Sequence, residues 1–129
     1  MAIPGVYTLV SETVTTAVTA QAQTAIDSLE GMTRATFEAT FSGTGGSTAV
    51  ALIQSRMGSA GVWREIASID FAAAGAKSCT VVSTAATPAA FAALSANSVL
   101  NWLGTELRAV ITTTGTWVGG VLAVRVHVA

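Results

Sequence analysis

Charge is what this sequence has least of. Only 10% of its 129 residues are Asp, Glu, Lys or Arg, against about 25% in an ordinary soluble domain. The six cations, Arg34, Arg56, Arg64, Lys77, Arg108 and Arg125, stand singly in a chain of net charge −1. That excludes the basic stripe that grips nucleic acid. The single histidine, His127, leaves no second imidazole for a metal site and only one base of that kind for a nucleophilic triad. The single cysteine, Cys79, excludes an internal disulfide and fits a reducing compartment. The seven acids are scattered, with no spacing that suggests paired carboxylates. No apolar run reaches the roughly 18 residues of a membrane-spanning helix, so no membrane is expected. The opening MAIPGVYTLVSETVTT has no basic leader before an apolar stretch, and no secretory signal is expected. The glycine-rich SGTGGS lacks the Lys-Ser/Thr of a phosphate loop. No cofactor, metal or catalytic residue is expected from these residues.

What the chain does hold is Val, Thr, Ile and aromatic residues in short runs broken by glycine, the composition of strands and turns. Its length suits one domain. RATFEATF alternates strictly: Ala35, Phe37, Ala39 and Phe41 share one face, while Arg34, Thr36, Glu38 and Thr40 share the other. SGTGGS interrupts it and TAVALIQSR resumes, which predicts a hairpin. MGSAG turns into VWREIASIDF, and AAAGA leads to KSCTVVST, where Cys79 alternates with Val81 as a core residue. Residues 85–101 read as a connection with room for a helical turn at PAAFAAL. ELRAVITTT and VLAVRVHV predict a second hairpin. In it Leu107, Ala109, Ile111 and Thr113 face inward opposite Leu122, Val124, Val126 and Val128, with Trp117 on the same apolar side. The expected fold is all-β: an antiparallel, jelly-roll-like sandwich of about eight strands, with an immunoglobulin-like sandwich as the fallback. Residues 1–30 are expected as an extended N-terminal arm or edge segment, and 31–129 as the sandwich domain.

Two clusters place glycine beside tryptophan: SRMGSAGVW and GTWVGG. Glycine supplies the positive φ of turns, and a nearby indole plugs the end of a sandwich while its N–H seeks one partner. A different reading would use Trp63, Trp102 and Trp117 as a platform for stacking sugars, as in a carbohydrate-binding module.

RATFEATFSGTGGSTAVALIQS, GVWREIASIDF and LGTELRAVITTTGTWVGGVLAVRVHV resemble a group of small β-rich structural proteins of tailed bacteriophages and prophages. That group carries a QTSLDGGxTWxDIA-like hairpin and then an LGxxLRVxxTTTGTYxG segment. Gln54, Ser55, Trp63, Ile66 and Ala67 fit the first pattern. Leu103, Gly104, Leu107, Arg108 and residues Thr112 to Thr116 fit the second, with Trp117 in place of the usual aromatic. Residues 1–30 carry no match. The resemblance implies a virion component assembled in the host bacterial cytoplasm. Among such components, a low-charge β-sandwich suits a cement or decoration protein on the capsid surface, bound to the major capsid protein and self-associated as a dimer or trimer. A tail, neck or fibre-attachment protein is the alternative within the virion. The expected contact residues are Val6, Tyr7 and Leu9 of the arm, which would reach a neighbour by strand addition, together with Arg34, Arg56 and Arg64 as exposed cations.

Overall fold

The strict alternation of RATFEATF is realised as a strand whose four apolar side chains are all buried. It is one of eight strands among the described residues, 4–84 and 88–129, of a computed structural model. These are β1 (Gly5–Val14), β2 (Val18–Ala22), β3 (Arg34–Phe41), β4 (Thr48–Arg56), β5 (Arg64–Phe71), β6 (Gly75–Val82), β7 (Glu106–Thr114) and β8 (Gly120–Val128). They form two four-stranded antiparallel sheets, β1-β8-β3-β6 and β2-β7-β4-β5, that pack as a β-sandwich. The first strand pairs with the last, the second with the seventh, the third with the sixth and the fourth with the fifth. The arrangement is one long antiparallel ladder rolled so that its rungs alternate between the two sheets.

The inward faces are those expected. Leu107, Ala109, Ile111 and Thr113 of β7 and Leu122, Val124, Val126 and Val128 of β8 are buried, whereas Arg125 and His127 are exposed. The pairings are not. β3 and β4 do not form a hairpin, and neither do β7 and β8: each pair is split between the sheets. Residues 42–47 and 115–119 are arches from one sheet to the other. Alternation fixes which side of a strand is buried, and that side is the same whether the next strand lies alongside or across the core. The β4–β5 pair, by contrast, does form the expected in-sheet hairpin.

Four links, β1–β2, β3–β4, β5–β6 and β7–β8, cross between sheets at one end of the sandwich, where Trp117 fills the space. Its ring meets Phe41 edge-on, with centroids 4.8 Å apart, and Phe41 meets Phe71 of the opposite sheet at 6.0 Å. Glycine leaves room for it. A Cβ on Gly46 would lie 2.1 Å from the indole, and one on Gly43 would lie 3.0 Å from it. Backbone bonds tie the arches together: Trp117 donates to Thr15 O at 2.8 Å, and Thr44 and Val118 exchange two N–H···O bonds at 2.8 and 3.1 Å. The indole Nε1–H is buried without an acceptor among the described residues. Its expected hydrogen-bond partner is therefore not found, although the ring does plug the sandwich.

The N-terminal segment differs from a free arm. Residues 5–14 and 18–22 supply an edge strand to each sheet, and β1 pairs with β8 from Gly5↔Val128 to Val14↔Gly120. A bulge between Thr8 and Val10 turns both Leu9 and Val10 inward. Val14 and Leu29 are also core residues. Apolar side chains at 9, 10, 14 and 29 leave water in this way, which an arm in solvent could not offer them. Residues 1–3 lie outside the described residues. No helix forms at 88–94, and residues 94–100 instead cover the edge of β5: the backbone N–H of Leu94 donates to Glu65 Oε1 at 2.9 Å, that of Ser68 to Ser98 O at 3.0 Å and that of Leu100 to Ile66 O at 2.9 Å. Residues 85–87 lie outside the described residues. At the edge of the other sheet, the inward side of β6 carries Lys77, whose ammonium bonds to Asp70 O and Asn97 Oδ1. A lysine there and a bulge in β1 are two devices that discourage stray strand pairing.

The surface replaces charge with hydroxyl pairs. Thr36 and Thr80 bond across strands at 3.2 Å, and Thr48 and Thr114 at 2.8 Å. The exposed area of 6428 Å² is close to the roughly 6,300 Å² of a lone domain of this mass.

The packing under Trp117 gives a direct test. Gly46→Ala forces a Cβ into the indole and is expected to lower unfolding stability by about 2–3 kcal/mol, in the range of overpacked cores. Gly5→Ala, where nothing lies within 4 Å, is expected to change little. Urea titration of the two variants reads the difference.

Candidate docking surface

The outer side of the β4–β7 ladder brings an unusual set together. Gln54 stands opposite Arg108, and Arg56 opposite Glu106. Residues two apart on a strand share a face, so all four project to the same side. Ser55 and Leu107, between them, point into the core. Trp63, just before β5, lays its ring against both guanidinium groups: Arg56 Cζ is 4.4 Å and Arg108 Cζ 4.3 Å from the ring centroid. Such contacts are each worth about 0.5–2 kcal/mol, depending on desolvation.

Each arginine is also held from the side. Arg56 donates to Glu106 Oε1 from Nε at 3.3 Å and from a terminal nitrogen at 3.0 Å. Arg108 Nε donates to Gln54 Oε1 at 2.8 Å. Arg56–Glu106 is the one salt bridge among the described residues. Arg108 therefore has a neutral partner and a like charge beside it. Desolvation first, and Arg56 second, hold its pKa below the ordinary guanidinium value, although an arginine remains charged at neutral pH.

Below this face Ser55 fixes the local backbone. Its buried hydroxyl donates to Glu106 O at 2.7 Å and accepts from Gly104 N at 2.9 Å. Gly104 presses on the Arg56 backbone so closely that a Cβ would lie 2.3 Å from Arg56 O. The adjoining β4–β5 loop exposes two large apolar side chains, Met57 at 59% and Val62 at 70%. Gln54, Ser55, Trp63, Gly104 and Arg108, drawn from two separate motifs of the sequence, thus converge at one end of one sheet.

The expected contact residues do not share a surface. Arg56 belongs to this cluster, half-buried rather than exposed. Arg64 is half-buried too. Its guanidinium stacks on Phe91 at 4.7 Å and Trp102 at 5.3 Å, its Nε is buried without a partner, and it pins the covering segment over the edge of β5. Arg34 is exposed at the start of β3, in the other sheet. Val6 is 66% exposed, and Tyr7 packs against the core. Leu9 is 3% exposed and inside the core, so it is corrected from a contact residue to a structural one. Arg108, Gln54 and Glu106 went unnamed as contacts because their meeting depends on the β4–β7 pairing, which the hairpin reading did not contain.

The tryptophans form no common platform. Trp117 is 3% exposed at the arch end, Trp63 carries two guanidiniums at the opposite end of its sheet, and Trp102 sits beside Phe91 and Arg64. His127 lies on the outer face of the other sheet, across from Val6 and Thr36. Among the described residues no three His, Cys, Asp or Glu side chains gather as a metal site would require. No protein family, curated protein or solved structure matches the chain.

A groove of about 470 Å³ opens between β6 and residues 97–99, lined by Ile69, Cys79, Val99 and Lys77 among others. Burial pushes the Cys79 thiol above its ordinary pKa, so it is protonated and slow to react at neutral pH.

Two outcomes follow. Glu106→Gln leaves two adjacent guanidiniums without a carboxylate and is expected to cost about 1–3 kcal/mol, read as a lower urea midpoint. For Cys79, the unfolded chain loses its thiol proton before the folded one does. Its contribution to stability is therefore flat below the ordinary thiol value and falls as pH rises through it. Cys79→Ala is expected to lessen that alkaline decline, and Ellman's reagent at pH 8 should label the native thiol far more slowly than the urea-unfolded one.

Proposed function

We propose that this protein is a non-enzymatic structural component of a tailed-bacteriophage virion, a cement or decoration protein that binds the major capsid protein and stabilises the assembled shell. The observation that carries this reading is the composition of the β4–β5 end: a tryptophan flanked by arginines, beside an exposed methionine and valine. Aromatic residues, Met and Arg are the types enriched where proteins bind one another, and Trp and Arg dominate binding energy there. The resemblance of the two motif segments to phage structural proteins supports the same reading. So does the rolled ladder of the two sheets, which we read as a jelly roll, an architecture common in capsid domains. The scarcity of charge fits a surface partly covered by neighbours in a dimer or trimer on the capsid exterior.

The mechanism is linkage. A ligand that binds only the assembled shell stabilises it by RT ln(1 + [L]/Kd), about 2.7 kcal/mol per site at a hundredfold excess over Kd. Repeated over many copies, a modest affinity holds a pressurised shell together.

The test uses purified protein added to phage heads that lack it. Co-sedimentation with heads, a raised temperature of DNA release and an oligomer in solution are the expected results, and Trp63→Ala should weaken head binding about tenfold or more, as a central interface tryptophan does. A monomer that stays in the supernatant would refute the proposal. Immunogold label on tails in place of heads would move the protein to the tail, neck or fibre attachment.

A further inference from the structure

We propose that the Arg56–Trp63–Arg108 cluster is a receptor for a carboxylate side chain, an Asp or Glu in an acidic polypeptide segment of the partner. The inference rests on reading the β4–β5 end as the docking surface, and it names what that surface recognises.

The cluster is incomplete in charge. Two guanidiniums lie against one indole, yet only Glu106 among the described carboxylates is paired with them, and it serves Arg56 alone. Arg108 spends Nε on the neutral Gln54, which leaves its terminal N–H groups without a protein acceptor among the described residues. A guanidinium stacked on an aromatic face keeps its edge free for hydrogen bonds, and that planar edge matches the two oxygens of a carboxylate. Glu106, Gln54 and Trp63 fix the two forks in advance, so little side-chain freedom is lost when an anion arrives. Exposed Met57 and Val62 beside the cluster would pack against aliphatic neighbours of that carboxylate and exclude water from the ion pair.

A polypeptide carboxylate suits this cluster better than a nucleic acid does. Phosphodiester backbones are held by a track of many cations. This face offers two, on a protein of net charge −1.

The test is an NMR titration of the full-length ¹⁵N-labelled protein with hexaglutamate, with hexalysine and hexathymidylate as parallel arms. Saturable, salt-sensitive shifts of the Trp63 indole N–H and the Arg56 and Arg108 Nε–H signals with hexaglutamate alone are expected. Arg108→Gln should weaken the response about tenfold. Arg108→Lys, which keeps the charge and the stem but not the fork, should fall between the two. No saturable shift, an unchanged response in Arg108→Gln, or a response to hexathymidylate in place of hexaglutamate would overturn the inference. The same variants on phage heads separate it from the wider reading. Heads that bind wild type and Arg108→Gln equally well would leave the capsid role standing and remove the carboxylate receptor. Hexaglutamate binding by a protein that ignores heads would do the reverse.

Discussion

The sandwich depends on one indole at the end where the chain crosses most often. Four connections pass between the sheets there, and Trp117 lies buried among three of them, under Gly43 and Gly46 of the β3–β4 arch and tied to Thr15 of the β1–β2 link. Phe41 from one sheet and Phe71 from the other lean on the same corner. An arch that turns so tightly over a large ring has no room for side chains on its inner surface, which is why Gly43 and Gly46 face the indole. The cost is an indole N–H left without an acceptor, of the order of 1–3 kcal/mol for a buried donor. Edge-on aromatic packing and the burial of the whole ring outweigh it.

The opposite end of the molecule uses tryptophan differently. There the β4–β5 hairpin stays within its sheet, the loop reaches outward, and Trp63 supports cations where Trp117 fills a gap. The two glycine–tryptophan clusters, alike as strings, are therefore a plug and a platform. The inner hydroxyl of Ser55 and the missing side chain of Gly104 set the backbone on which that platform stands.

Strand existence and strand faces were legible in the residues. The alternation of Ala35, Phe37, Ala39 and Phe41, and of the valines in β8, survives unchanged in the fold. Strand partners were not legible, because period-two alternation is indifferent to whether the next strand lies beside the first or across the core. The misplaced hairpins carried the site with them: Gln54 and Arg108 are 54 positions apart in sequence, and only the β4–β7 pairing makes them neighbours. The N-terminal segment was legible only as an arm or an edge segment, for a related reason. Its few charges and its Pro4–Gly5 start suit an arm as well as an edge strand, and the bulge that buries Leu9 and Val10 together breaks the alternation a reader would look for.

Pairing the first strand with the last has a consequence for how the chain is made. β1 has no ladder to join until Gly120–Val128 has emerged from the ribosome. Until then the strand keeps its apolar side bare. Closure of the first sheet is thus a late and long-range event, and non-local pairings of this kind are the slow ones, with strand edges open to wrong partners in the meantime.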